Sequence, residues 1–139
     1  MLRRVFLSLA FVLFALPVFA SDIYILVDIS DQSMAVRVDG QLKHTFDVST
    51  GRKGYTTPTG AYGVTRMYRK YHSKKYDGAP MPYSIFFHGG YAIHGTTDLK
   101  RLGRIASHGC VRLHPDNAKA LFALVKEIGG ENTRIWVKS

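Results

Sequence analysis

The sequence predicts a mainly β fold with one α-helix near its C-terminal end. Apolar residues alternate with other residues across 23–48, which is the period of half-buried strands. Short runs rich in β-branched and aromatic residues follow at 83–87 and 91–94, and apolar residues recur at helical spacing at 115–128. The length of 139 residues predicts a single domain, and the 46% hydrophobic content argues against a disordered chain.

The first 20 residues have the pattern of a secretory signal peptide. Two arginines precede an almost uninterrupted apolar run at 5–20, which ends in small residues at Ala20. The run has 16 residues. A bilayer core requires roughly 20, so an uncleaved membrane anchor is the alternative that the length disfavours. We therefore expect a signal peptide at 1–20, export to the periplasm, and a mature domain at 21–139 without stable membrane insertion.

A β-meander is predicted to open the mature domain. It consists of a strand at 23–29 and a hairpin at 33–48. Asp39 and Gly40 lie between the two halves of the hairpin, and both residue types tolerate the positive φ that a two-residue turn requires. The next segment, 49–60, is dense in Gly, Thr and Pro and predicts an irregular loop.

A basic, tyrosine-rich segment lies at 66–76, partly overlapping a strand predicted at 61–67. It combines five basic residues with three tyrosines. Such a mixture can bind single-stranded nucleic acid by stacking and charge neutralisation. An exported protein rarely meets nucleic acid, so we expect a solvated loop beside a binding groove and no nucleic-acid partner.

The one predicted helix begins at Pro115 and ends before Gly129 and Gly130. Proline is favoured in the first turn of a helix, and glycine is favoured just past its end. A last strand is predicted at 134–137. The apolar residues at helical spacing are Ala118, Leu121, Phe122, Val125 and Ile128.

The charge balance of the mature domain favours an anionic partner. Without the two arginines of the predicted signal peptide, 17 basic residues face 10 acidic ones, which gives a net charge of +7. Outside the cytoplasm the candidates are wall-peptide carboxylates, anionic lipids and polysaccharides.

The single cysteine, Cys110, lies among residues that can activate a thiol. In an oxidising compartment an unpaired cysteine is a buried bystander, half of an intermolecular bridge, or a reactive group. A thiol becomes a nucleophile when an imidazole or positive charge holds it as thiolate. His94 is the preferred base, because His108 is separated from Cys110 by one residue and is not forced into contact with it.

Two further residues in this segment suit acyl transfer. Gly109 lacks a Cβ, so its backbone can approach a substrate carbonyl and turn amide groups toward an oxyanion. In a strand, Arg112 would face the same side as Cys110 and could clamp a carboxylate. A zinc site is a competing interpretation, although the spacing of its ligands fits no common finger. Those ligands would be His94, His108, Cys110 and His114.

The S-H-G-C-V-R motif at 107–112, preceded by I-H-G at 93–95, resembles the active-site signature of the L,D-transpeptidase catalytic domain family. The resemblance extends over about 22–137. Further matching segments are S-T-G at 49–51, T-P-T-G at 57–60, and P-Y-S-I at 82–85.

This resemblance implies a β-sandwich or barrel that acts on peptidoglycan stem peptides without a metal or cofactor. Cys110 would attack the carbonyl of the L-centre of the third stem residue and release the terminal D-Ala. His94 would accept and donate protons, and the Gly95 carbonyl would orient it. Segment 66–76 would occupy the place of the family's pocket lid. The residues implied in substrate or oxyanion binding are Ser107, His108, Gly109, Arg112 and Gly95.

The acceptor and the catalytic status remain open at this stage. An amine of a second stem or of a wall-attached protein would resolve the thioester by transfer. Water as the acceptor would make the protein an L,D-carboxypeptidase or hydrolase. A non-catalytic wall-binding module is the alternative from another class. The resemblance also implies that carbapenems acylate Cys110.

Overall fold

The computed structural model describes residues 14–16 and 19–139. The predicted signal peptide at 1–20 therefore lies largely outside the described residues, and its cleavage stays a prediction. Within the described part, no helix has both the length and the apolar character needed to cross a membrane.

The described residues form nine strands and one α-helix, with two short 3₁₀ turns. The mainly β class with one C-terminal helix is confirmed. The elements are β1 (Ile23–Asp28), β2 (Ser33–Val38), β3 (Gln41–Asp47), β4 (Gly60–Gly63), β5 (Arg66–Tyr68), β6 (Ser84–His88), β7 (Tyr91–Gly95), β8 (Val111–Leu113), α1 (Pro115–Ile128) and β9 (Thr133–Lys138).

The first sheet has five strands in the order β3-β2-β1-β9-β4. The predicted meander supplies β1, β2 and β3, in which β2 pairs antiparallel with both β1 and β3. Asp39 and Gly40 have φ values of 51° and 79°, as the two-residue turn requires. The last strand, β9, lies in the interior of this sheet, parallel to β1 and antiparallel to β4.

The prediction of one continuous strand at 61–67 is wrong. The structure divides this segment into β4, which joins the first sheet, and β5, which joins the second. A two-residue break between Gly63 and Arg66 redirects the chain. An alternating pattern reports which faces are buried, but it does not report which sheet each half pairs with.

The second sheet has the order β5-β6-β7-β8 and positions the candidate site. β7 and β8 are parallel, with Ile93 opposite Val111 and His94 opposite Arg112. Ile93 and Val111 are buried in the main core. Because successive side chains of a strand point to opposite faces, His94 and Arg112 project from the other face of the sheet.

Helix α1 packs against the core face of the second sheet, on β6 and β7. Pro115 is its first residue, and the preceding His114 caps it by accepting a hydrogen bond from the Asp116 amide at 3.1 Å. The buried face consists of Ala118, Leu121, Phe122 and Val125. The two sheets and the helix contribute side chains to one hydrophobic cluster.

A long hairpin connects β5 to β6, and we call it the 69–83 hairpin. Its two arms are joined by backbone hydrogen bonds from Tyr83 to Arg69, from Met81 to Tyr71, and from Ser73 to Ala79. The tyrosine-rich segment 66–76 is therefore more ordered than the solvated loop that its composition predicts.

Candidate active site

A cleft of about 350 Å³ lies between the 69–83 hairpin and the ends of β7 and β8. The sequence-predicted residues Cys110, His94, His108 and Arg112 all line it. Ser107 and Gly109 belong to the loop that carries Cys110, and Gly95 follows His94. The other lining residues are Ser73, Tyr76, Ala79, Pro80, Met81, Thr96, Thr97 and Asp98.

Strand register brings Cys110 and His94 to the same face. His94 pairs with Arg112 across β7 and β8, and Cys110 comes two residues before Arg112. A separation of two returns a side chain to the same face of a strand. Cys110 also contacts the small cluster of Met81, Phe86 and Ala92 on this face. His94 and Cys110 are 16 positions apart in the sequence, yet both line the same cleft.

The backbone carbonyl of the next residue, Gly95, holds the His94 ring in one tautomer. Its Nδ1 lies 2.7 Å from the Gly95 carbonyl oxygen. A carbonyl can only accept, so Nδ1 carries the proton and Nε2 keeps a free lone pair. Burial lowers the pKa of His94 to about 4, with a smaller contribution from Arg112, although the Gly95 hydrogen bond opposes the shift. His94 is therefore a neutral base at neutral pH.

The Cys110 thiol is also favoured in its neutral form. Burial raises its pKa above the ordinary value, and the Ala92 backbone and the Arg112 charge only partly offset this. The expectation of a thiolate already ionised in the resting protein is therefore not supported. A neutral thiol beside a neutral imidazole suits a mechanism in which the base removes the proton as the sulfur attacks.

Ser107 fixes the loop that presents the thiol. Its buried hydroxyl donates to the Cys110 carbonyl at 2.6 Å and accepts from the Gly109 amide at 3.0 Å. Thr57 supports the same loop from outside, because its hydroxyl donates to the Gly109 carbonyl at 2.8 Å and accepts from the Gly51 amide at 2.9 Å. These four bonds define the backbone path into Cys110.

Gly109 is required for its conformation and for its lack of a side chain. Its φ is +119°, and an added Cβ would lie 2.4 Å from a ring carbon of Tyr91. Its amide is engaged by Ser107, so in this arrangement it is not a free donor to an oxyanion. The contribution of Gly109 to an oxyanion region stays a prediction.

The S-T-G segment at 49–51 is hydrogen-bonded to both ends of the segment 106–112, which contains Cys110. Ser49 exchanges two backbone hydrogen bonds with Arg112, and the Thr50 carbonyl accepts from the Ala106 and Ser107 amides. Gln32 is buried, and its side-chain amide bonds both the hydroxyl and the backbone N–H of Thr50. Sequence reasoning missed Gln32, because a glutamine in a turn carries no pattern of its own.

His108 is committed to contacts other than Cys110. Its ring stacks on Tyr76 of the 69–83 hairpin, with centroids 4.2 Å apart, and meets the edge of Tyr55. Its Nε2 lies 3.1 Å from the Arg52 guanidinium, which can only donate. Burial lowers the pKa of His108, and nearby cations add to the shift. His108, as a neutral ring, thus connects the 69–83 hairpin to the loop that carries Cys110.

Arg112 places a positive charge at the cleft wall. Its side chain is half-buried, and burial lowers its pKa. Among the described residues, no carboxylate lies within ion-pair distance of it. The guanidinium is therefore available to a carboxylate that enters the cleft.

A comparison with known proteins identifies the family. Residues 22–137 match the YkuD L,D-transpeptidase catalytic domain. The chain belongs to this family. The resemblance read from the S-H-G-C-V-R motif is thereby confirmed.

Individual relatives agree with this L,D-transpeptidase assignment. YqjB of Bacillus subtilis (strain 168), provisionally named an L,D-transpeptidase, is 30% identical over 117 residues, which cover 75% of this chain and 66% of YqjB. An L,D-transpeptidase from Stackebrandtia nassauensis superposes with a TM-score of 0.74 at 31% identity, covering 85% of this chain and 56% of that one.

The similarity to a third relative supports the fold only. LdtMt1, an L,D-transpeptidase solved in complex with imipenem, superposes with a TM-score of 0.75 at 23% identity, covering 85% of this chain and 59% of LdtMt1. The chain therefore spans 66% or less of the length of each of these three relatives.

The zinc interpretation finds no geometric support in the described residues. They contain no group of three or more His, Cys, Asp or Glu side chains arranged to hold a metal ion. His114, one of the four candidate ligands, caps helix α1.

The buried neutral His94 predicts that this L,D-transpeptidase domain loses stability in mild acid. Its folded pKa of about 4 lies below the ordinary 6.5. The unfolded chain therefore binds the proton first as the pH falls, and the free energy of unfolding declines between those values. Lowering the pH from about 7 to about 5 should remove about 2 kcal/mol through this residue. Urea unfolding at both pH values, on the protein and on His94→Gln, measures this loss of free energy. An equal loss in the two proteins would show that His94 is not its source.

Proposed function

We propose that the protein is an exported L,D-transpeptidase that acts on peptidoglycan stem peptides through a Cys110 thioester. The observation that supports this most is the placement of Cys110 and a base-competent His94 on one face of neighbouring strands, in an open cleft. Membership of the family supports the reaction class.

The proposed first half-reaction forms the thioester. His94 Nε2 takes the thiol proton as Cys110 Sγ attacks the carbonyl of the L-centre of the third stem residue. The carbonyl oxygen becomes an oxyanion in the tetrahedral intermediate. His94 then returns the proton to the departing nitrogen, the C–N bond breaks, and D-Ala leaves. The Gly95 carbonyl stabilises the protonated ring through its bond to Nδ1.

The second half-reaction transfers the acyl group to an amine. A side-chain amine of another stem, or of a wall-attached protein, attacks the thioester and gives its proton to His94. The C–S bond breaks, and the proton returns to Cys110 Sγ. A thioester suits this step because it reacts readily with amines.

Charge supports an acidic peptide as the donor. The predicted mature chain carries a net charge of +7, and Arg112 brings one of these cations to the cleft wall. A stem-peptide carboxylate bound there would be fixed beside the thiol by two parallel hydrogen bonds. The expected location is the periplasm, where such peptides are accessible.

Product analysis separates the proposed reaction from its alternatives. The purified protein is incubated with a defined stem tetrapeptide, and the products are weighed by mass spectrometry. We expect a cross-linked dimer together with free D-Ala. Tripeptide and D-Ala without dimer would identify an L,D-carboxypeptidase and overturn transfer. Unchanged tetrapeptide, with binding intact, would identify a non-catalytic wall-binding module.

Carbapenems provide a second test of the same site. The relative LdtMt1 was solved in complex with imipenem. If Cys110 is the nucleophile, incubation with imipenem should raise the intact mass by one drug equivalent. Peptide mapping should place the adduct on Cys110. An unshifted mass in a folded sample, or an adduct on another residue, would count against the assignment.

A further inference from the structure

A second cavity, of about 520 Å³, lies beside helix α1, at the edge of its buried face, and we call it the α1 pocket. Its lining residues differ from those of the Cys110 cleft throughout. Helix α1 forms one wall, and the base of the 69–83 hairpin forms the other. The residues that line it are Arg69, Tyr83, Lys119, Phe122, Ala123, Lys126 and Glu127.

The rim of the α1 pocket is predominantly cationic. Arg69, Lys119 and Lys126 line it, against the single acid Glu127. Among the described residues, none of these three cations forms an ion pair. Three unpaired cations around one concave surface attract an anionic ligand, and a ligand with more than one carboxylate most of all.

The floor of the α1 pocket is aromatic and anchored in the core. Phe122 is nearly buried, and Tyr83 meets it edge to face with centroids 5.7 Å apart. Ala123 continues this apolar surface. An apolar floor with a few polar groups at the rim is the usual construction of a small-ligand site. The matching ligand carries an apolar face, such as that of a sugar ring, together with its acidic groups.

Backbone hydrogen bonds connect this pocket to the catalytic base. Tyr83 has a φ of +55°, unusual for a residue with a side chain. The carbonyl of the preceding residue, Pro82, accepts from the Gly95 amide at 2.8 Å, and the Gly95 carbonyl accepts from His94 Nδ1 at 2.7 Å. The pocket wall is therefore connected by backbone hydrogen bonds to the strand that carries His94.

We infer that the α1 pocket binds an acidic glycopeptide of the cell wall, with sugar on the aromatic floor and peptide carboxylates on Arg69, Lys119 and Lys126. This inference rests on the proposed function for the identity of the ligand. The pocket holds the wall polymer at a second point while the cleft processes a stem. Two linked contacts raise the effective concentration of stems at the cleft.

Charge reversal at two exposed lysines tests this site. Binding of a purified disaccharide-tripeptide to Cys110→Ala protein, which cannot turn over, is followed by NMR shifts of the backbone amides. Shifts at Ala123 and Lys126 should saturate. Lys119→Glu with Lys126→Glu should weaken binding at these amides by about tenfold, because two attractive charges become repulsive. The matched control reverses Lys43 and Arg134 on the first sheet, with the same change in net charge, and should bind like the parent.

Several outcomes would overturn the inference. These are shifts confined to the Cys110 cleft, equal weakening in both double variants, or equal binding of a neutral disaccharide without the peptide. Imipenem acylation of the otherwise wild-type Lys119→Glu/Lys126→Glu protein separates the two proposals. Normal acylation together with lost glycopeptide binding supports both proposals. Normal acylation with unchanged glycopeptide binding would overturn only the inference about the α1 pocket. Failure of imipenem to acylate the parent protein would contradict the proposed function.

Discussion

Replacing Cys110 with serine should reduce transfer by at least about 10³-fold while the protein stays folded. A hydroxyl has a far higher pKa than a thiol, and burial at this position already opposes ionisation of the sulfur. His94, as a neutral base of low pKa, cannot compensate for so weak an acid. Dimer formation from a stem tetrapeptide, quantified by mass spectrometry, measures the loss.

Cys110→Ala provides the baseline for this experiment. The serine and alanine variants should be equally inactive, and both should unfold within a few degrees of the parent, because the side chain contributes only to the edge of a small cluster. Transfer by the serine variant well above the alanine baseline would show that the sulfur is not essential.

Replacing His94 with glutamine should lower the rate of Cys110 acylation by about 10²-fold to 10⁴-fold. Glutamine can retain polar contacts in the space of the ring, but it cannot take the thiol proton at neutral pH. His44→Gln is the matched control, since it removes a half-buried ring on β3, which is an edge strand of the first sheet, whereas His94 lies in the second sheet. A control variant as slow as His94→Gln would indicate a general structural effect.

The pH dependence of the parent protein tests the protonation state of His94. The base works when neutral, and its pKa is lowered to about 4. The acylation rate should therefore stay on a plateau as the pH falls from about 7 to about 5, and decline only below that. A decline centred near the ordinary pKa of histidine would show that the ring titrates unshifted, contrary to its burial.

Much of the fold follows from local patterns in the sequence. The period of two in β1 and β2 reflects one buried and one outward face, whereas β3 buries only Phe46. The Asp39-Gly40 turn is predicted because both residue types tolerate a positive φ. The helix begins at Pro115 and ends before Gly129 as predicted, because the capping preferences act within one turn. These features depend on residues close together in the chain.

Features set by long-range pairing could not be read in the same way. The insertion of β9 between β1 and β4, and the division of residues 61–67 between two sheets, depend on contacts between distant segments. No local period encodes such pairings.

In the candidate site, too, local features can be predicted from the sequence, whereas features that depend on distant segments cannot. The S-H-G-C-V-R motif predicts a site at Cys110 and its neighbours, since their residue types are chemically distinctive. The protonation states do not follow from the motif, because burial raises the pKa of the Cys110 thiol and lowers that of the His94 imidazole, and burial depends on the whole fold. The supporting contacts of Gln32 and Thr57 are not predictable from the sequence, although the matching segment 57–60 includes Thr57, because each acts through the backbone of a distant loop.

The most direct test of the central claim is the intact mass of the protein after rapid acid quenching of its reaction with a stem tetrapeptide. The account predicts a species heavier by the tetrapeptide minus D-Ala, with the added acyl group mapped to Cys110 and absent from Cys110→Ala. Release of D-Ala by a protein that never carries this adduct, or an adduct on any other side chain, would contradict it.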